Sequence, residues 1–497
     1  GVLFLCLAGA VCLVNIEYYR EYQEPFNHYL FGLVYDDRHA IFTTIISSYH
    51  GPIHLLAFTA IISSGTWLLG RVIRDPVFPS GATMHLAYST RTRRVLSALV
   101  IGALIVLGLR GSLGAMPARE RHAGITQDDF LNKTVLNPFT ALRYAIMRQI
   151  ALSGKDGIHA YLSDGDVAGA VRHVFTPPGK VTDLDAVMRR SAHGTRGRPP
   201  RHIFLIVAES YSAWPLTDKY AGLHLSDGLK GLAREGISFH PFIAAAQGTM
   251  ASLNTFVTGL PDADIHTNYR PSSRNPYPSS LTSIFERLGY RTRFFYGGYL
   301  TWQRVGEFMH DQGFDEVHGG GDMGSWLSAN EWGLDDKHIF SYVQRTVTDD
   351  IPSFNLILTT SFHPPYTVDL ASEGFSRSHL PRMFLGKHIG DDDAVFLGHL
   401  WYADRCITGF ARTAIVRWPD SLVVVTADHP GRRWLVDHPD PLERYLVPCV
   451  FFGPRVLTGI HAPPAIAGCH LDIVPTLVEL CAPQGFVYHS MGRDLLT

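Results

Sequence analysis

Chemistry-bearing residues stand where short apolar runs of this sequence stop. Glu209 follows the run at 203–208, His363 follows the run at 354–360, and Asp428 with His429 follows the run at 422–426. In open α/β sheets ligands bind beyond the carboxyl ends of the strands, so these four residues are expected to converge on one crevice. Taken singly, each reads as readily as a helix cap or a loop hydrogen bond. A fifth, Thr249, stands in Gln247-Gly248-Thr249-Met250-Ala251-Ser252-Leu253, after another β-like run at 237–246 and at the start of an expected helix. A threonine there can simply cap the helix. The alternative is that the helix N-terminus and a nearby cation stabilise a Thr249 alkoxide and the anionic phosphoryl group it attacks. A hydroxyl is a weak nucleophile until its pKa falls. The carboxylates of Glu209 and Asp428 and the imidazole of His429 would hold one divalent cation for that purpose, with Thr249 as a further ligand. Manganese, zinc and magnesium all suit such oxygen and nitrogen ligation, which offers no thiolate to select among them.

Positioning these residues requires an α/β domain with a mostly parallel central sheet. From residue 201 onward, β-rich runs at 203–208, 293–296, 354–360, 422–426 and 446–452 alternate with helical stretches. A breaker-rich linker containing Gly194, Gly197, Pro199 and Pro200 precedes it. Residues 112–200 therefore read as a connecting region, with helical patterns at 138–152 and 165–175, and residues 201–497 as the catalytic domain. Residues 1–111 read as a transmembrane region with apolar stretches at 2–14, 53–69 and 95–109. The second has the length of a span, the third is marginal, and the first begins at the chain's own start without a methionine, so the sequence is expected to be truncated upstream. Arg71, Arg74, Arg91, Arg93 and Arg94 face only Asp75 in the second loop. The first loop carries Glu17, Glu21, Glu24, Asp36 and Asp37 against Arg20 and Arg38. The arginine loop is thus expected in the cytoplasm and everything after residue 109 outside it, in a multi-pass protein of the bacterial inner membrane. A net charge of -2 and a pI near 7.0 exclude the basic surface that nucleic-acid binding needs. Cys406, Cys449, Cys469 and Cys481 lie in the outer part, where pairing would be chemically permitted, and buried free thiols fit equally well.

A resemblance joins these residues. Ala208-Glu209-Ser210, Gln247-Gly248-Thr249, Trp302-Gln303-Arg304, Ser361-Phe362-His363 and Ala427-Asp428-His429 together are similar to the lipoteichoic acid synthase and phosphoglycerol transferase family of the alkaline phosphatase superfamily. The stretch from Cys469 through Leu477 resembles a sulfatase-like segment of that superfamily, and the apolar part resembles the last three of the family's usual five spans. The resemblance implies an alkaline-phosphatase-like sandwich, with Glu209, Thr249, Asp428 and His429 as metal site and nucleophile. It further implies that Trp302, Arg304 and His363 contact a phosphoglycerol group, with His363 also donating to an oxyanion or carrying a proton. His470 could reach the metal or its surroundings. The implied reaction moves a headgroup from a membrane phospholipid, phosphatidylglycerol, to a hydroxyl of a glycan or polymer, and a membrane anchor would hold the site near that donor. Met250, Ala251 and Ser252 depart from the Ser-Asp pair usual after the nucleophile and are nearer the phosphoethanolamine transferases; Pro430 departs from a glycine or tyrosine. Phosphoethanolamine transfer, simple phosphodiester hydrolysis and an inactive membrane sensor are the competing readings. Sulfate ester hydrolysis is disfavoured because residues 249–253 lack the Cys/Ser-x-Pro-x-Arg pattern to which sulfatases conform.

Overall fold

The structure is a computed structural model that describes residues 2–22, 24–31, 51–74, 129–153, 165–174 and 185–497 apart from 325–328, 331, 349, 437–438 and 464–465, together with residue 162 and most of 95–107. The described residues divide into two compact units, one within residues 1–163 and one within 164–497.

In the first unit, α1 (Val2–Tyr22) is followed by α2 (Gly51–Arg74), α3 (Asp129–Thr134) and α4 (Pro138–Ser153). Gly9 of α1 faces Phe58 and Ile62, and Gly65 of α2 faces Leu5, so small residues let these two helices approach closely. Among the described residues one helix, α1, is long and apolar enough to cross a membrane, by length and composition. The sequence reads 53–69 as a span as well. The helix of the first stretch gains its length by running on past Val14 through Tyr18, Tyr19 and Tyr22, whereas the apolar part of α2 is the shorter Ile53–Leu68. Of the third stretch, the described residues are helical; much of the arginine loop lies outside the described residues.

The second unit is built on a seven-stranded sheet. Its strands in chain order are β1 (His202–Ala208), β2 (Ile237–Ser238), β3 (Arg291–Tyr296), β4 (Glu316–His318), β5 (Ser353–Leu358), β6 (Ser421–Ala427) and β7 (Cys449–Phe452). Their spatial order is β2-β7-β6-β1-β5-β3-β4, with β6, β1, β5, β3 and β4 parallel and β7 antiparallel to β6 and β2. Every residue of β1, β5 and β6 is buried, as expected of parallel strands covered on both faces by crossover helices. That is why they read as nearly continuous apolar runs rather than as alternation, with Asn355 the polar exception inside β5. Phe204, Phe294 and Phe354 are among the fully buried side chains of this core, each contributing about 2 kcal/mol. The fold is α/β with a mostly parallel central sheet, as the sequence indicates.

Helices α5 (Asp227–Glu235), α6 (Thr249–Thr258), α7 (Asp391–Arg417) and α8 (Ile473–Cys481) belong to this unit. The acidic first turn of α7, Asp391 to Asp393, complements its helix dipole. Gly259 ends α6 at φ 69°, and a Cβ there would lie 2.6 Å from the Ser279 carbonyl oxygen, so only glycine fits. The expected run at 237–246 is two short strands, β2 and Phe242–Ile243, separated at Phe239, His240 and Pro241; proline has no N–H to give a ladder. Arg189–Ser191 pairs antiparallel with Val487–His489, so the chain engages the second unit before the Gly194–Pro200 breakers. Its cysteines, Cys406, Cys449, Cys469 and Cys481, are all free thiols.

Candidate metal and nucleophile site

The parallel pairing of β1 with β6 continues to their last residues, with Ala208 opposite Ala427. The next residues, Glu209 and Asp428, therefore leave the sheet side by side, and the Asp428 N–H still donates to the Ala208 carbonyl at 3.2 Å. Ser210 then turns the chain at φ 52°, a conformation that costs a non-glycine residue on the order of 1 kcal/mol. Two hydrogen bonds hold it there. Its N–H donates to Asp428 Oδ1 at 2.8 Å, and its hydroxyl donates to Glu209 Oε1 at 2.8 Å. Asp428 Oδ1 also accepts the His429 N–H at 2.7 Å, while the Glu209 N–H donates to Thr359 Oγ1 at 3.0 Å beyond β5.

Helix α6 brings the hydroxyl. Gly248 is its N-cap and Thr249 its first residue, and the Ser252 hydroxyl one turn on donates to the Asp428 carbonyl at 2.6 Å, fastening the helix to the carboxylate loop. Thr249 Oγ1 thereby points at Glu209 Oε2, 3.3 Å away. Glu209, Asp428 and His429 are buried whereas Thr249 is half-buried, an arrangement that leaves the hydroxyl reachable from outside.

One atom from each of Glu209, Asp428 and His429 lies within 4.8 Å of the others. His429 Nδ1 faces the Pro430 carbonyl at 2.9 Å and so carries the ring proton; Nε2 presents its lone pair 3.5 Å from Asp428 Oδ2 and 3.8 Å from Glu209 Oε1. Asp428 Oδ2 is buried without a hydrogen-bond partner. Three acceptors converging in a buried space repel one another unless a positive charge joins them. The Glu209 carboxyl shows this: burial first, and the Asp428 charge second, push its pKa well above the usual range. A proton can relieve part of that repulsion, and a divalent cation fits the donor set better because it engages all three at once.

Of the other residues singled out from sequence, His363 lies on the same rim beyond β5. Thr360 and Ser361 direct their N–H groups at 2.9 Å to Oδ1 of the buried Asp336, which shapes the segment, and the His363 ring is 4.4 Å from that of Trp332. Trp302 and Arg304 lie beyond β3 in a single turn, with Gln303 and Arg304 at φ 42° and 58°. Their contacts there include Tyr296 for Trp302, and Glu307 and Tyr269 for Arg304. The structure thus brings Glu209, Thr249, Asp428 and His429 into one cluster and sets His363, Trp302 and Arg304 at the ends of neighbouring strands. His470 is buried against Phe256 and Phe242, accepts the Ala245 N–H on Nδ1 at 3.1 Å, and has its pKa pushed down to about 3 by burial, with the Asp428 charge opposing. Sequence reasoning gave no role to Ser210 or to Arg432, whose guanidinium donates to the Gln247 carbonyl at 3.2 Å and whose charge reaches Glu209. Ser210 stood inside a quoted motif, but nothing in its residue type signals a left-handed backbone.

The sulfatase family model matches residues 201–482, more than half of the chain and all of the rim just described. The chain belongs to the sulfatase family. Three solved structures share its fold at low identity. An alkaline phosphatase superfamily protein from Vibrio parahaemolyticus is 20% identical, with 66% of this chain and 78% of that one covered and a TM-score of 0.51. The lipoteichoic acid synthase LtaP from Listeria monocytogenes is 17% identical over 66% of this chain and 81% of that one, also at 0.51. The integral membrane protein lipooligosaccharide phosphoethanolamine transferase A (EptA) from Neisseria meningitidis is 14% identical over 99% of this chain and 85% of that one, at 0.56. Neighbours of this fold include a synthase and a transferase, and the fold by itself fixes no substrate.

Proposed function

We propose that this chain is a metal-dependent phosphoglycerol transferase of the bacterial inner membrane, multi-pass, with residues 201–497 on the outer side. It moves a phospholipid headgroup, from phosphatidylglycerol, to a hydroxyl of a glycan or polymer through a phosphothreonine at Thr249. The observation that carries this reading is the Thr249 hydroxyl, half-buried at a helix N-terminus and 3.3 Å from a carboxylate of the buried Glu209, Asp428 and His429 cluster. A manganese, zinc or magnesium ion held by these four residues would lower the pKa of the hydroxyl and screen the negative phosphoryl group. In the first half, a bond forms from Thr249 Oγ1 to phosphorus as the bond from phosphorus to the diacylglycerol oxygen breaks. The hydroxyl proton leaves along its hydrogen bond toward Glu209 Oε2, and the departing oxygen takes up a proton, a role assigned to His363. In the second half the acceptor oxygen attacks the same phosphorus and gives its proton to His363, the bond from phosphorus to Thr249 Oγ1 breaks, and Oγ1 takes back the proton left toward Glu209. The N-terminus of α6, with Arg304 and Arg432 as cations, offsets the phosphoryl charge, and Trp302 with His363 would meet the headgroup.

Transfer of phosphoethanolamine is the second reading, favoured by Met250, Ala251 and Ser252 after the nucleophile. Incubating the full chain with labelled phosphatidylglycerol and phosphatidylethanolamine separates the two by which lipid yields diacylglycerol and a covalent adduct. Thr249→Ala should abolish the adduct and lower turnover by at least about a thousandfold. Consumption of neither lipid, alongside hydrolysis of an unrelated phosphodiester, would leave a phosphodiesterase and defeat both transferase readings.

A further inference from the structure

Helix α4 has one buried face and one face that no described residue of its unit covers. Ala141 and Ala145 are buried against Tyr18 and Phe26, forming a small core in which α4 packs on the carboxyl-terminal end of α1. On the other side Arg143, Ile146, Met147 and Ile150 recur at the spacing of one helical stripe and are exposed, the three apolar side chains by 41%, 52% and 67%. Phe130 and Leu131 of α3 are likewise exposed, by 57% and 49%, and the Phe130 ring is 5.8 Å from that of Tyr19. In water such a stripe would be a standing liability.

We propose that α4, with the apolar side chains of α3, lies in the plane of a membrane surface, its Arg143, Ile146, Met147 and Ile150 stripe resting among the headgroups and upper acyl chains of an anionic phospholipid layer. This rests on the membrane-anchored reading of α1. Two features select lipid as the occupant. The first is continuity: the apolar run of α1 gives way at Glu17 and Arg20 to a cluster of Tyr18, Tyr22 and Phe26, with Tyr18 stacked on Tyr22 at 4.5 Å. Aromatic clusters at the end of an apolar helix mark the interface level, and α4 is packed on that cluster, so a crossing α1 holds α4 at the same depth. The second is charge. The sequence of α4, PFTALRYAIMRQIALS, contains arginine and no acidic residue, which suits anionic headgroups.

The test uses the full chain in vesicles of phosphatidylethanolamine and phosphatidylglycerol, with photoreactive benzoylphenylalanine at position 150 and, as reference, at position 7 of α1. Lipid adducts at both positions are expected. Lipid at position 7 with only peptide adducts at position 150 would overturn the proposal, because the stripe would then be covered by protein while the anchor stands. Lipid at neither would remove the anchored reading and the proposal together. A second arm compares the double variant Ile146→Glu, Ile150→Glu with the parent. It should release diacylglycerol from vesicles roughly tenfold more slowly, yet hydrolyse a soluble chromogenic phosphodiester at the parent's rate. Equal rates on vesicles would count against an interfacial α4.

Discussion

Replacing Asp428 by asparagine should make the protein more stable without metal and less stable with it. The substitution keeps the shape of the side chain and keeps Oδ1 as the acceptor of the Ser210 and His429 N–H groups at 2.8 and 2.7 Å. The other oxygen, buried without a partner in the parent, becomes an amide that can donate toward Glu209 or His429 Nε2. Ligand atoms of Glu209 and Asp428 lie within 4.8 Å of each other, and two like charges at that separation repel by about 3 kcal/mol at an effective dielectric of 20. Burial and the Asp428 charge together raise the Glu209 pKa, so its charged form is disfavoured in the metal-free protein. The variant should therefore gain about 1 to 3 kcal/mol in chelator, a rise in Tm of roughly 2 to 6 °C. With manganese at a hundredfold excess over its Kd, the parent should gain about 2.7 kcal/mol and the variant almost none. Differential scanning calorimetry in chelator and in metal reads both. A variant that melts below the parent in chelator would refute the repulsion, and one that keeps the full metal shift would refute Asp428 as a ligand.

Other consequences can be checked alongside. Ser210→Ala removes the hydroxyl that orients Glu209 Oε1 and should weaken cation affinity by about tenfold, read by metal titration, with little change in Tm. Because the folded-state pKa of Glu209 is raised, its contribution to the stability of metal-free protein is fully present below about pH 4 and is lost as pH rises through that raised value. Cation affinity should move oppositely, falling as the pH is lowered, since the ligands must lose their protons. Asp404, on α7, accepts the Tyr211 hydroxyl and the N–H groups of Gly228 and Leu229 at the start of α5, and burial pushes its pKa up to about 6. Asp404→Ala leaves those donors unmet and should cost about 2 to 4 kcal/mol in denaturant unfolding while metal binding persists.

The ends of β1, β5 and β6 were legible because buried parallel strands are runs dominated by Ile, Leu, Val and Phe, and each run was followed by residues of a different character. The order of those strands was not legible. It depends on which crossover helix covers which face, and it is the adjacency of β1 and β6, more than 200 positions apart in the chain, that sets Glu209 beside Asp428. The left-handed Ser210 escaped notice for a related reason. Its backbone is held by a partner 218 residues away, so no local pattern announces it. Asp336 in turn shapes the Thr360 and Ser361 turn from a neighbouring helix, and a sequence offers no sign of such a reach. The extent of the first apolar helix was only partly legible. A count of apolar residues stopped at Val14, whereas the helix continues through tyrosines that a membrane interface accepts.

These features bear jointly on what the rim is for. A buried Glu-Asp-His cluster with its lone pairs turned inward is a poor way to stabilise a sheet, since apolar side chains of the same volume would hold the strand ends together without repulsion. The strain at Ser210 adds to that cost, and the same residue aligns both carboxylates. A cation bound there would remove the repulsion, and in doing so would draw together the ends of β1 and β6 and the start of α6, the three segments that carry the candidate ligands and the hydroxyl. Metal loading should then order the nucleophile as well as activate it. Hydrogen exchange at the first turn of α6 tests this: protection of the Met250 to Ser252 amides should rise on adding manganese and stay at the chelator level in the Asp428→Asn protein. Equal protection in both states would mean that the helix start is held by the Ser252 bond alone and that the cation acts only on the chemistry.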